Sequence, residues 1–155
     1  MSAEARLAEL GIELPAPRPP AGLYVGAVRT GQLLFLSGAG PVQPDGGIVT
    51  GKVGRDLDAA AGRAAARLTG LQLLATMRAE LGSLDHVARI VKILGMVNGA
   101  PGFNRTPQVI DGCSELFIEV FGEYGRGARS AVGLAELPFD IAVEIEAVVE
   151  IRPAS

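Results

Sequence analysis

The stretch "GARSAVGLAELPFDIAVEIEAVVEI" (residues 127–151) reads as two hydrophobic strands separated by a Leu-Pro pair. Arg129 interrupts the first strand, and Glu144 and Glu146 recur at two-residue spacing along the second. Because strand side chains alternate between faces, the two glutamates share one face and the intervening apolar residues share the other. Like charges side by side need a cation or water beside them. Arg129 on a neighbouring strand is one candidate cation, and Arg152 is another.

These residues support two readings. One is a salt-bridge ladder, exposed or at an interface, in which the arginines balance the glutamates. The other is a ligand pocket, because the planar guanidinium of Arg129 suits a ligand carboxylate and Glu144 would then be available to orient or deprotonate water. The strand pattern alone leaves both readings open.

From residue 23 to the end of this stretch, hydrophobic periodicity predicts the element order β-β-(β)-α-β-α-β-β. A short helix over residues 3–10 and a proline-rich arm make up residues 1–22, and a single α+β domain is expected over residues 23–155. The predicted elements are a hairpin of residues 23–29 and 32–38, a helix from Asp56 as N-cap to Gly82, a strand over residues 86–98 and a helix capped by Thr106.

Two helices can cover only one face of such a sheet. Along residues 86–98, however, Val91, Ile93 and Val97 alternate with Ile90, Leu94 and Met96, so both faces of this strand are apolar. Both must be hidden from water, and another subunit is the expected cover. The pattern therefore predicts self-association without fixing its symmetry.

The 155 residues are 48% hydrophobic and 20% charged, as in one globular domain, and the net charge is -3. That balance disfavours a broad basic surface for nucleic acid. The apolar runs are too short to span a bilayer, so no membrane association is expected. The single Cys113 cannot form an intrachain disulfide, which fits a reducing cytoplasm.

Two other motifs are weak. The sequence "GGIVTGKV" (residues 46–53) opens like a phosphate-binding loop but lacks Ser or Thr after the lysine, so a Gly-rich turn leading into an edge strand is expected. His86 and Cys113 are more typical of a turn histidine and a core cysteine than of a nucleophile pair. No cluster has metal-ligand spacing, and no metal or other cofactor is expected.

Four further stretches belong with the opening one: "YVGAVRTGQLLFLSGAGP" and "GKVGRDL" lie upstream, and "LDHVARIVKILGMVN" and "VIDGCSELFIEVFG" lie between these and the opening stretch. Together the five stretches resemble the Rid family of reactive intermediate deaminases, also called YjgF proteins or L-PSP endoribonucleases. The resemblance covers most of the chain and is strongest to a longer-loop branch. It implies a chorismate-mutase-like α+β fold, a mixed sheet with two helices on one face, assembled as a trimer with a central β-barrel and with ligand pockets between subunits.

The resemblance also implies roles for particular residues. Arg129 matches the arginine that binds the carboxylate of a 2-imino or enamine acid, and Glu144 matches the acid that handles the attacking water. Tyr24 resembles the tyrosine lining the pocket, and Ser37 and Gly38 resemble the strand end that borders it. The implied reaction, without cofactor, is hydrolysis of a small carboxylate-bearing imine to a 2-keto acid and ammonia.

Four positions depart from the family pattern. Asp111, in the expected substrate-binding group, stands where relatives often have Asn, and Gly127 stands where branch members often have His. Ala131 replaces a frequent Cys, and Ala39 replaces the Gln that ordinarily follows Ser-Gly. Two alternatives to the predicted deaminase function stay open: a non-catalytic or regulatory carboxylate-binding trimer, and the endoribonuclease of the older family name.

Overall fold

In a computed structural model, which describes residues 1–153, five strands form one mixed sheet with helices on one side. The last two residues of the expected domain, 154 and 155, lie outside this part. The elements are α1 (Ala3–Leu10), β1 (Ala27–Thr30), β2 (Leu33–Ala39), α2 (Ala59–Leu81), β3 (Val87–Asn98), α3 (Thr106–Phe121), β4 (Ala128–Leu134) and β5 (Val143–Ile151).

The strand order across the sheet is β1-β2-β5-β3-β4. The β3–β4 pair is parallel, and the other pairs are antiparallel. The predicted order of elements is confirmed, except that residues 46–53 form only isolated bridges where an edge strand was expected. The chain leaves β4 and enters β5 on the far side of β3, so the two strands of the opening stretch are not neighbours.

The long helix α2 begins later than the sequence predicted. Its N-cap is Asp58, whose side chain accepts a hydrogen bond from the Ala61 N–H at 2.7 Å. The predicted cap, Asp56, instead accepts a hydrogen bond from the Lys52 N–H at 2.8 Å and closes the preceding turn. The helix ends as predicted at Gly82, which adopts a left-handed φ of 80°.

Helix α3 is tied to the sheet at its first turn. Thr106 is not the N-cap but the first helical residue, after Arg105. Its hydroxyl does not cap the helix, because it donates a hydrogen bond to the Ala131 carbonyl of β4 at 3.0 Å. This bond fixes the start of α3 beside the edge strand that carries Arg129.

The core lies between the sheet and helices α2 and α3, and it depends on close backbone approach. A Cβ on Gly112 of α3 would lie 2.0 Å from the Arg63 carbonyl oxygen of α2, and one on Gly95 of β3 would lie 2.5 Å from Ile110 Cγ1. Glycine at these positions lets α3 pack tightly on both α2 and the sheet. Leu7 of α1 is also buried in this core.

Strand β3 does not alternate as the sequence predicted. Its register against β5 shifts between Ile90 and Lys92, so Ile90 and Ile93 both face the helices and are buried. Val91, predicted to share a face with Ile93, is 37% exposed. The error has a physical cause, since a bulge inserts one residue and reverses the alternation beyond it.

The other face of the sheet, which we call the open face, carries apolar side chains that the described residues leave exposed. Val28, Phe35 and Val132 are 55%, 44% and 42% exposed. The prediction of two-sided apolar strands is thus confirmed, and the trimer that would cover the open face stays a prediction. None of the helices in residues 1–153 has the combination of length and hydropathy that a membrane-spanning helix requires.

Candidate functional site

Arg129 lies on the edge strand β4 and points to the helix side of the sheet. It pairs with Ile93 of parallel β3, and residues paired across strands share a face. Its Nη1 donates to Asp111 Oδ1 at 2.7 Å and to Ser114 Oγ at 3.1 Å, both on α3. These residues, Arg129, Asp111 and Ser114, are called the Arg129 group below.

The guanidinium of Arg129 is held but not enclosed. Its side chain is 23% exposed, and its Nη2 makes only a long contact of 3.5 Å with the Pro107 carbonyl. Its Nε forms no hydrogen bond with any residue among residues 1–153. The Nε–Nη2 edge therefore retains donors for a ligand, although Asp111 already neutralises part of the charge. Asp111 also lies 3.8 Å from Arg63 of α2.

Glu144 projects from β5 onto the open face, where it packs over Gly38 of β2. A Cβ on Gly38 would lie 2.9 Å from Glu144 Cδ, so the carboxyl group fills the space above the glycine. Burial raises the pKa of Glu144 above its ordinary value, and the negative charge of Glu146 adds to the rise. A carboxylate in this state is a stronger base than a fully solvated one.

Ser37 and Gly38 form a β-bulge beside this carboxylate. The register between β2 and β5 shifts between Leu36 and Ala39, which leaves the two residues unpaired in the ladder. The Ser37 hydroxyl donates to the Val25 carbonyl at 2.6 Å, which places the segment around Tyr24 beside the bulge. Tyr24 is 51% exposed, and its Oη accepts a hydrogen bond from the Ala21 N–H at 3.1 Å. Glu144, Ser37, Gly38 and Tyr24 are called the Glu144 group.

Within one chain the two groups do not meet. Strand β3 separates β4 from β5, and Arg129 and Glu144 lie on opposite faces of the sheet. The expectation that Arg129 balances Glu144 from a neighbouring strand is therefore wrong for the single chain. Neither Arg129 nor Arg152 forms an ion pair with Glu144 or Glu146 among residues 1–153, so the structure shows no salt-bridge ladder within this part of the chain.

A model of the family described as "YjgF/chorismate_mutase-like, putative endoribonuclease" matches residues 4–146. The chain belongs to this family. Protein TCP17 of Trypanosoma cruzi is 47% identical over 96% of this chain and 93% of its own length. The crystal structure of Atu1372 from Agrobacterium tumefaciens, a protein of unknown function, is 45% identical, covers 96% of this chain and 92% of its own, and superposes with a TM-score of 0.88.

Escherichia coli TdcF, a further structure similar to this YjgF-family chain, was solved with bound serine. It is 27% identical, with a TM-score of 0.62 over 89% of this chain and 94% of its own. The predicted α+β fold with two helices against one face is thus confirmed, and so is the resemblance to the Rid family on which the sequence analysis relied.

The Cys-His pair considered for this YjgF-family chain has no support in the structure. Cys113 is fully buried, and burial raises the pKa of its thiol despite the nearby charge of Arg129. His86 lies at the turn between α2 and β3, with Nδ1 2.9 Å from the Leu81 carbonyl oxygen. Among residues 1–153, no three His, Cys, Asp or Glu side chains gather as a metal site.

Sequence reasoning missed Ser114 and the Pro107 carbonyl, which complete the surroundings of Arg129. Ser114 follows Asp111 by three residues, so both lie on one side of α3, next to its apolar face. That spacing is a usable signal for a shared partner. The carbonyl of Pro107 leaves no trace in the sequence, because backbone contacts do not depend on residue type.

Proposed function

We propose that this chain is a hydrolytic deaminase of small 2-imino or enamine acids, with active sites between the subunits of a cytoplasmic homotrimer. The observation that carries the proposal is that the Arg129 group and the Glu144 group are each incomplete and lie on opposite faces of one sheet. Contact between two copies can unite a carboxylate-binding group with a base. The apolar open face supports such contact.

In the proposed reaction, the Nε–Nη2 edge of Arg129 binds the substrate carboxylate and fixes the position of the imine carbon. Glu144 of another subunit removes a proton from water as the water oxygen bonds to that carbon, and it gives this proton to the imine nitrogen. Glu144 then transfers the proton of the new hydroxyl group to the same nitrogen, so that the carbonyl forms as the carbon–nitrogen bond breaks, giving a 2-keto acid and ammonia. Tyr24 and the backbone of Ser37 and Gly38 border the substrate.

The class of substrate is supported by the family and by one relative. TdcF is similar to this chain and was solved with serine, a small molecule that bears a carboxylate. Arg129 suits such a carboxylate, because its open edge presents two parallel donors.

A non-catalytic carboxylate-binding trimer is the second candidate, and Asp111 favours it. Its carboxylate lies 2.7 Å from Arg129 Nη1 and reduces the charge available to orient a substrate. The endoribonuclease of the older family name is a lesser candidate, since the net charge of -3 gives no general attraction for RNA.

The first experiment is to generate an imino acid in situ with an amino-acid oxidase and to follow the release of ammonia and keto acid. Acceleration that is lost in Arg129→Ala and kept in Arg126→Ala, a change in an exposed arginine paired with Glu123, supports the deaminase. Binding of 2-oxobutanoate without acceleration supports the binding protein. RNA degradation that disappears in Arg129→Ala would support the nuclease.

The second experiment tests whether the site is shared. Arg129→Ala and Glu144→Gln chains are coexpressed, so that the mixed trimers contain interfaces with one intact arginine and one intact glutamate. If each site takes one residue from each of two chains, random mixing restores about a quarter of the parent activity, although each variant alone is inactive. Mixed trimers that stay inactive would contradict the shared site.

A further inference from the structure

Lys52 directs its ammonium group toward a cavity of about 440 Å³ that is separate from both groups described above. Its Nζ donates to Asn98 Oδ1 at 2.9 Å and to the Ala135 carbonyl. Both acceptors are uncharged, and no carboxylate among residues 1–153 lies within ion-pair distance of this nitrogen. The ammonium group therefore lines the cavity without a direct ion pair and with one donor hydrogen left over, and the Asp56 carboxylate attracts it only at longer range.

The position of this ammonium is set by a buried amide. Asn98 is 1% exposed, and its Nδ2 donates to Asp140 Oδ1 at 2.9 Å. Because the nitrogen of the amide is committed to Asp140, its oxygen faces Lys52. Asp140 follows Phe139 in a turn where both residues have a φ of 57°, a left-handed conformation that is unfavourable for Phe and more readily adopted by Asp. The loop thus holds Asp140 where it orients Asn98.

The walls of the cavity combine this charge with apolar surface. Pro101, Phe103 and Leu134 line it, and Phe103 packs against Gly54, where a Cβ would lie 2.9 Å from Phe103 Cδ2. Glu136 also lines the cavity and forms no ion pair with Lys52 among the described residues. Its negative charge disfavours a dianion such as phosphate, whereas one cation beside apolar walls suits a monoanion.

We propose that the cavity at Lys52 is a second ligand site, which binds a small monocarboxylate with a short apolar group. The carboxylate accepts the remaining hydrogen of the ammonium, and the apolar group lies against Phe103 and Leu134. None of the residues lining this cavity belongs to the Arg129 group or the Glu144 group. The site does not depend on the proposed deaminase activity, because all its residues come from one chain, whereas the proposed deaminase site needs two.

The test is a titration of the full ¹⁵N-labelled chain with isobutyrate, followed by the amide signals of Ala100, Gly133 and Ala135. Isobutyramide, which has nearly the same shape without the charge, is the matched control ligand. We expect isobutyrate to shift these signals and isobutyramide to leave them in place. We expect Lys52→Met to weaken binding of isobutyrate about tenfold or more, and Arg129→Ala to leave these shifts intact.

Glu136→Gln provides a second arm that does not depend on the folding of the Lys52 variant, since Glu136 is exposed. Removing its negative charge should tighten isobutyrate binding severalfold. The proposal is overturned if isobutyrate does not shift the three signals, if the shifts persist unchanged in Lys52→Met, or if Glu136→Gln fails to tighten binding. Shifts confined to Ser37, Gly38 and Ser114 would also overturn it, because they would place the ligand at the other site.

Discussion

The Glu144 carboxyl group occupies the space above Gly38, and a Cβ on residue 38 would lie 2.9 Å from Glu144 Cδ and 3.0 Å from Oε2. Any side chain there would displace the carboxyl group, so the glycine sets the position of the proposed base. The same close packing contributes to the burial that raises the pKa of Glu144. The bulge at Ser37 and Gly38 thus affects both the place and the basicity of one carboxylate.

Replacing Gly38 by Ala should lower deaminase activity with little loss of stability. The atoms that the new methyl group meets belong to the end of a flexible side chain, which can rotate away from it. We expect kcat/KM to fall about tenfold or more, because the base leaves its position, and the free energy of unfolding to change by less than about 1 kcal/mol. The assay is keto-acid release, with urea unfolding as the stability measurement.

Gly26→Ala is the matched control for this change. Its Cβ would lie 3.7 Å from Thr76 Cγ2, an ordinary van der Waals contact, and the residue is close to the same bulge. Equal losses of activity in the Gly38 and Gly26 variants would mean that the contact with Glu144 is not what matters.

Asp111→Asn should tighten the binding of a 2-keto acid at Arg129. Asparagine keeps an oxygen that accepts from Nη1 and removes the negative charge that competes with the ligand carboxylate. We expect the dissociation constant for 2-oxobutanoate, measured by calorimetry, to fall about three- to tenfold. Glu115→Gln, which changes a neighbouring acid paired with Arg63, should have no such effect. Weaker binding in Asp111→Asn would instead show that its charge is needed to hold Arg129.

The raised pKa of Glu144 predicts how its contribution to stability depends on pH. A carboxyl group with a raised pKa in the folded state stabilises the fold below its ordinary pKa, and this contribution is lost as pH rises through the folded value. Glu144→Gln should therefore increase the free energy of unfolding at about pH 8, with the gain vanishing near about pH 4. Glu150→Gln, on the same strand, is the control. A gain in the free energy of unfolding that does not depend on pH would contradict a raised pKa of Glu144.

Some of the fold follows from local signals in the sequence. The bounds of α1 and the end of α2 at Gly82 were predicted, because capping and hydrophobic periodicity act over a few residues. The sequence misplaces the start of α2, because Asp56 and Asp58 are both good caps and Asp56 is already bound to the Lys52 N–H in the turn before the helix. The cap predicted at Thr106 is wrong for a different reason, since its hydroxyl makes a long-range hydrogen bond to the Ala131 carbonyl.

The sequence singles out the residues of the candidate site but does not predict how they are arranged. Arg129 and Glu144 stand out by charge within strands of apolar residues. That they lie on opposite faces depends on β3, which enters the sheet between their strands and comes from a distant part of the chain. Strand order of this kind is set by long-range pairing and has no local signal. The bulge at Ile90 likewise became visible only through the register with β5.

Gly112→Ala should destabilise the fold through the contact between α2 and α3. The new Cβ would lie 2.0 Å from the Arg63 carbonyl oxygen, so the two helices must separate or α3 must rotate. Alanine favours a helix over glycine by about 1 kcal/mol, but the overlap with backbone should outweigh this gain. We expect a net loss of about 2 kcal/mol or more in urea unfolding. Asp111 and Ser114 flank this contact, so the shift should also loosen the hold on Arg129.

Gly70→Ala is a milder change for comparison with Gly112→Ala, because Gly70 lies on α2 and faces α3 across the same contact. Its Cβ would meet the side chains of Leu116 at 3.0 Å and Cys113 at 3.1 Å, and the leucine side chain can rotate where a carbonyl cannot move. The loss of stability should therefore be smaller than in Gly112→Ala. If the Gly112 variant proved as stable as the parent chain, the two helices would not be held at the separation that presents Asp111 and Ser114 to Arg129.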